Sequence, residues 1–128
     1  MKNLGVFVAI EGVDFSGTST NTRLLHDNIK KFSQYQDVLT THEPWKSEEI
    51  RRELKENSCA YSHGEKMAEL YILDREKHQE GIIIPVTVME GIVISDRFHM
   101  STYAYQNIQG VPIEVIKKLH QHHTIKNP

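Results

Sequence analysis

Cysteine is almost missing from this chain, Cys59 being the only one. A lone thiol cannot close an intrachain disulfide, and a cysteine-rich zinc site is excluded. The expected setting is therefore a reducing one, the cytoplasm. Long apolar runs are missing as well. The opening MKNLGVFVAIEG has a lysine and a short apolar stretch, but Glu11 and Asp14 interrupt it too early for a secretory leader. No other stretch is long and apolar enough to span a bilayer, so no membrane partner is expected. Neither sign of charge dominates. Lys+Arg 15 against Asp+Glu 17 leaves a formal net charge of -2, which argues against general nucleic-acid binding, because such proteins present a basic face to the phosphate backbone. Repeats, low-complexity tracts and linkers are also lacking. The 128 residues suffice for one domain with a core and are too few for two of ordinary size, so 1–128 is read as a single domain.

What is present is an alternation of strand and helix patterns. Leu4 to Ile10 is a near-continuous apolar, β-branched run before a glycine turn, the pattern of a strand buried on both faces of a parallel sheet and expected to be its central strand. Ser19 to Phe32 then puts Leu24, Leu25, Ile29 and Phe32 on one side at helical spacing. Val38 to Thr41 predicts a second strand, broken by His42-Glu43-Pro44-Trp45. Ser47 to Lys55 predicts a helix with Ser47 as N-cap, Glu48 and Glu49 in its first turn, and an end at Asn57 and Ser58. Gly64 to Met89 reads as one long helix, or two joined near Gly81 and Pro85, closed by Gly91. Ile92 to Ile94 forms the next buried strand, with Ser95-Asp96-Arg97 at its carboxyl end, where open α/β sheets bind ligands. Pro112 opens a last amphipathic helix through Val115, Ile116 and Leu119. The fold class that follows is α/β, a three-layer unit with a parallel sheet flanked by helices.

Between the first strand and first helix lies Gly12-Val13-Asp14-Phe15-Ser16-Gly17-Thr18-Ser19, which has the spacing of the phosphate-loop motif G-x-x-x-x-G-K-[ST] with Thr18 at the lysine position. Glycines let the backbone curl so that successive amides face phosphate oxygens, and the helix N-terminus adds partial positive charge. Gly12, Ser16, Gly17, Thr18, Ser19 and Thr20 are the candidate phosphate-binding residues. The Ser19 hydroxyl is a candidate Mg²⁺ ligand, and Asp96, at the end of a buried strand, can hold the same ion directly or through water. Lacking the lysine ammonium, the loop is better suited to binding than to catalysis. The competing reading is a glycine turn that merely joins strand to helix.

Four segments, FVAIEGVDFSGTST, the THEP turn, LYILDREKH and VISDRFHMSTYAYQ, occur in the order and approximate spacing of thymidylate kinases, which this chain resembles from Val6 to about Pro128. The match covers roughly the first three fifths of a typical member, ahead of a further strand, a lid segment, more helices and a fifth strand. The resemblance implies a P-loop nucleoside monophosphate kinase fold and transfer of the ATP γ-phosphoryl group to dTMP with Mg²⁺. It implies that Asp14 lies near the sugar 3′-hydroxyl and the metal, and that Glu43-Pro44 is a turn with a cis proline beside the nucleotide. It further implies that Arg51 and Arg97 hold the monophosphate, Arg97 and Asp14 carrying the catalytic roles. Tyr71 would stack on thymine and Arg75 would bond its edge. Ser101, Thr102, Tyr105 and Gln106 would line base and deoxyribose, with Tyr105 crowding a ribose 2′-hydroxyl.

Each of these residues also has a plainer reading. Asp14 caps its turn, Arg51 shares a solvated helix face with Arg52, Tyr71 is core and Arg75 surface, and Tyr103 is packing. His42 stands where many bacterial members have arginine, and Phe15 where some have a loop arginine. His120, His122 and His123 sit in a terminal helix or tail with no carboxylate or cysteine beside them in sequence, poor company for a metal. With the loop lysine, loop arginine and lid all missing, the isolated chain is expected to be a poor kinase. The alternative is a noncatalytic nucleotide-binding or pseudokinase fragment, one part of a split protein. An uncovered first-strand edge is expected to be met by a homodimer contact or a completing second chain.

Overall fold

Three short strands carry the sheet because three β-branched runs, VFVAI, VLTTH and IVISD, are each too short and too branched to favour helix. In the computed structural model, which describes residues 5–32, 37–56, 63–123, 125 and 128, they are β1 (Val6–Ile10), β2 (Val38–His42) and β3 (Ile92–Asp96). All pair in parallel in the order β1-β3-β2. The central place expected for β1 is therefore held by β3, among the described residues. Burial follows position. The first four residues of β3 are buried, whereas in β1 only Phe7 is, and Val6 is 39 % exposed.

Side chains alternate across β3 and divide the core in two. Val93 faces Phe7, Ile83 and Phe98 on one side, with Ala9, Val86 and Ile125 packed against them. Ile92 and Ile94 face Val38 on the other, where Ile10, Leu25 and Ile29 close the layer. Helix α1 (Thr18–Phe32) thus uses only part of its expected apolar face: Leu25 and Ile29 pack, while Leu24 and Phe32 are exposed. Each fully buried aliphatic side chain contributes about 1.5–3 kcal/mol.

Helix α2 (Glu48–Glu56) begins where expected, with Ser47 Oγ accepting from the Ile50 amide at 3.2 Å. The end expected at Asn57 and Ser58 lies outside the described residues. The long segment after it is one continuous helical rod. Helix α3 (Gly64–His78) passes through a π-helical turn, Gln79–Ile83, into α4 (Ile84–Val88). Pro85 has no amide to return to the Gly81 carbonyl, so the ladder widens, and the Ile84 amide reaches back to Gln79 O. The rod stops at Gly91, whose amide bonds Val86 O. Helix α5 (His99–Ile108) was not anticipated from its sequence, and α6 (Ile113–Gln121) follows Pro112 as expected. No helix among the described residues is long and apolar enough to cross a membrane.

Strand register decides where chemistry can gather. Ile10, Asp96 and His42 end the strands on one level, so the loop after β1, Arg97 and Glu43 emerge along one edge. Two backbone bonds extend the ladder there, Arg97 N to Ile10 O at 2.8 Å and Glu43 N to Asp96 O at 3.1 Å.

Candidate functional site at the carboxyl edge of the sheet

The loop from Gly12 to Gly17 is held by its own short bonds. The Ser16 amide and hydroxyl both donate to Val13 O, at 3.1 and 2.5 Å. A Cβ on Gly12 would run into Ser16 Oγ, and Gly17 adopts φ +94°, a conformation that side chains resist. Asn21 seals the turn into α1 by donating amide and side chain to Gly17 O, at 2.9 and 2.8 Å. The first amides of any helix lack an intrahelical acceptor, so the start of α1 presents donors and the positive end of its dipole to the edge.

Ser19 Oγ donates to Asp96 Oδ2 at 2.7 Å. Asp96 Oδ1 is buried without a hydrogen-bond partner. An orphaned carboxylate oxygen beside a hydroxyl is a donor set suited to a hard cation, which takes oxygen ligands and keeps waters or ligand phosphates in its other positions. Among the described residues no group of three His, Cys, Asp or Glu is arranged to hold a metal alone. Next along the edge, Asp14 Oδ1 accepts from Arg97 Nη2 at 3.0 Å and from Tyr105 Oη at 2.9 Å. Arg97 Nη1 also donates to Tyr105 Oη, at 3.0 Å, closing a triangle. Arg97 adopts φ 75°, a left-handed conformation uncommon outside glycine.

Deeper in, Arg75 is 1 % exposed, which departs from the surface position of its plainer reading. Its Nε donates to Glu43 Oε1 at 2.8 Å, and its Nη2 to Phe98 O and Thr102 Oγ1 at 3.0 and 2.9 Å. Its Nη1 meets His120 Nε2 at 2.9 Å. The other oxygen of Glu43 accepts from His78 Nδ1 at 2.8 Å, and His78 Nε2 reaches Thr41 Oγ1 at 2.7 Å. The Glu43-Pro44 peptide bond is cis, as the resemblance implies. Asp74 holds the turn beyond by accepting from the amides of Trp45, Lys46 and Ser47. Burial, with Asp74 nearby, pushes the Tyr71 phenol above its ordinary value, so at neutral pH the ring carries no charge.

These groups wall two adjoining clefts. One of about 360 Å³ is lined by Asp14, Glu43, Tyr71, Arg75, Arg97, Ser101, Thr102, Tyr105 and Gln106, with Pro44, Leu54, Met67, Phe98 and Gln109 completing it. The other, about 580 Å³ and more open, is lined by Phe15, Gly17, Thr18, Ser19, Thr20, His42, Glu43, Asp96 and Arg97. Glu43 and Arg97 belong to both. Of the candidate residues, Gly12 and Ser16 shape the loop but line neither cleft. Arg51 lines neither as well: its side chain is 58 % exposed and pairs with Glu48 at 3.4 Å on the outer face of α2.

Several contributors escaped the sequence. Glu11 ends the first apolar run, yet its carboxylate accepts from Phe98 N, Ser101 N and Ser101 Oγ, at 3.0, 3.0 and 2.8 Å. It anchors the start of α5, which has no side-chain cap of its own. No local pattern marks such a pairing across 87 positions. The histidines do have a carboxylate beside them in space, since His123 Nδ1 meets Glu76 Oε2 at 2.9 Å. Tyr103 packs as expected, stacked on His120 at 5.0 Å.

Residues 10–128 match the family model described as thymidylate kinase. The thymidylate kinase of Wolbachia pipientis wMel is 34 % identical over 129 residues, covering 96 % of this chain and 63 % of that protein. That of Ruegeria pomeroyi is 36 % identical over 124 residues, covering 94 % and 58 %. This chain therefore spans about three fifths of these relatives' length. The crystal structure of thymidylate kinase from Ehrlichia chaffeensis superposes with a TM-score of 0.84 at 30 % identity, covering 97 % of this chain and 72 % of that one.

Proposed function

Because this chain belongs to the thymidylate kinase family, we propose that it binds dTMP in the smaller cleft and the phosphates of ATP over the glycine loop, for transfer of the γ-phosphoryl group to give dTDP. The observation that carries this reading is that Arg97 and Glu43 wall both clefts. An acceptor phosphate and a donor phosphate would then meet at one guanidinium, whose planar fork suits two phosphate oxygens at once.

Each group has work to do in that arrangement. Tyr71 offers an aromatic face to a base, and Arg75 offers fixed donors to its edge. Asp14, between Arg97 and Tyr105, would accept from a sugar hydroxyl, and Tyr105 would crowd a 2′-hydroxyl. Phosphoryl transfer asks the protein chiefly to align the two nucleotides and offset charge. Ser19 and Asp96, with its free oxygen, fit Mg²⁺, which when bound would neutralise phosphate charge. A cytoplasmic setting is part of the same proposal, the lone cysteine being what supports it.

A second reading is favoured by Thr18. Arg97 is the only arginine or lysine lining the donor cleft among the described residues, so a loop without its lysine supports nucleotide binding more than turnover. A homodimer or completing chain would supply further cations to either reading. Calorimetric titration with dTMP and with ATP and Mg²⁺, followed by chromatographic assay for dTDP, separates them. Binding of both with dTDP formed supports the kinase; binding without product supports the second reading. Failure to bind dTMP while another nucleoside monophosphate binds overturns the base assignment.

A further inference from the structure

We propose that His120 is a positioning residue for Arg75, and that it performs this role only as the neutral imidazole protonated at Nδ1. The proposal rests on the nucleotide-binding reading of the smaller cleft.

The partners of His120 decide its tautomer. Its Nδ1 lies 2.9 Å from Ile116 O, which can only accept, so Nδ1 carries the hydrogen. Its Nε2 is then a lone pair, and Arg75 Nη1, which can only donate, points to it at 2.9 Å. Guanidinium has five N–H donors; Glu43, Phe98, Thr102 and His120 together take four of those of Arg75. His120 alone engages Nη1, leaving that nitrogen one hydrogen for the cleft that Arg75 lines. Without His120, Nη1 has no protein acceptor among the described residues, and that end of the planar fork is left unsatisfied and less tightly held.

The imidazole is itself locked. It stacks on Tyr103 from α5 at 5.0 Å, nearly parallel at 6°, and touches His99 edge-on at 6.4 Å. The charged or titratable groups around it are Arg75 from α3, His99 and Tyr103 from α5, and His123 just past the end of α6. Burial above all, with Arg75, His99 and His123 adding to it against the upward pull of Ile116 O, holds the ring down at about 4. A proton on Nε2 would set two donors face to face and bring two cations together. The Arg75 bond cannot survive it.

The full chain is compared with His120→Phe, which keeps a ring over Tyr103 but has no acceptor, and His120→Gln, which offers an acceptor that does not titrate. Nitrogen NMR of the histidine rings and the Arg75 side chain, without nucleotide, is expected to show an Nδ1–H tautomer and a single sharp Arg75 signal, broadened in His120→Phe. In calorimetry at about pH 7, His120→Phe is expected to bind dTMP about tenfold more weakly, the scale of one hydrogen bond from a charged donor. His120→Gln should recover most of that affinity. The phosphate of dTMP titrates near pH 6 itself, so the comparison is differential: at about pH 4, where about half of His120 is protonated, wild type should lose about twofold more affinity than His120→Gln. An Nε2–H tautomer at neutral pH, wild-type affinity in His120→Phe, or identical acid profiles for wild type and His120→Gln would each overturn the proposal. If the tautomer and Arg75 signals are as expected and dTMP does not bind, the substrate reading fails while the clamp stands.

Discussion

Ser19 and Asp96 are 77 positions apart in the chain and 2.7 Å apart in space. The bond joins the first turn of α1 to the end of β3, and leaves the second oxygen of Asp96 buried and unpartnered. A buried acceptor without a donor costs about 1–3 kcal/mol, which a bound cation would relieve. Replacing Asp96 by asparagine is therefore expected to weaken ATP binding in the presence of Mg²⁺ by about tenfold or more, and to change binding without Mg²⁺ little. Titration of both variants with and without the ion checks it; equal losses in the two conditions would mean that Asp96 does not serve the metal.

Glu43 holds two cationic or polar partners in a site where its side chain is 4 % exposed and that of Arg75 is 1 % exposed. Glu43→Ala would leave the Arg75 guanidinium buried without its counter-charge. A loss of about 3–5 kcal/mol is expected, readable by urea unfolding near neutral pH. A loss below about 1 kcal/mol, the scale of a solvated pair, would show that water reaches this network.

Thr18 lines the larger of the two clefts, at the first position of α1. Thr18→Lys restores an ammonium where phosphate charge would gather, and should raise ATP affinity by about 1.5–3 kcal/mol, tenfold or more. If dTDP formation rises with it, the site is a kinase limited by that missing charge. Tighter binding with no gain in product would favour the noncatalytic reading.

Acid should loosen the fold through His120 and His99, both held below their ordinary value chiefly by burial. The native rings stay neutral where the unfolded chain takes up protons, so below about pH 6.5 the unfolded state binds more protons and stability falls with pH. For His120 the contribution is complete above about pH 6.5 and is lost as pH drops toward about 4. Thermal melts across that window should show a declining midpoint, with a shallower slope in His120→Gln. Parallel slopes would remove His120 from the cause.

Much of the fold was legible because its signals are local. A β-branched run, a glycine loop and a 3.6-residue apolar rhythm each lie within a few turns of chain, and they located β1, α1, β2, α2 and β3 to within a residue or two. The edge that holds the site was legible too, since parallel strands bring their carboxyl ends together, and Asp96-Arg97 had to lie there. Strand order was not local information. Which strand is central depends on how crossovers stack, and β1 reads like a central strand while β3 takes that place among the described residues.

The sequence by itself determined the phosphate-loop spacing, the missing lysine at Thr18, and the charged residues that a parallel sheet would gather at one edge. Only the tertiary structure decided which of those charges face one another: Arg75 buried against Glu43 and His120, Arg97 against Asp14, and Arg51 turned outward to Glu48. The reason is range. Backbone preference and apolar periodicity act between neighbours in the chain, whereas a guanidinium finds its partner across 32, 45 or 83 positions, and no short pattern encodes a distance that only packing sets.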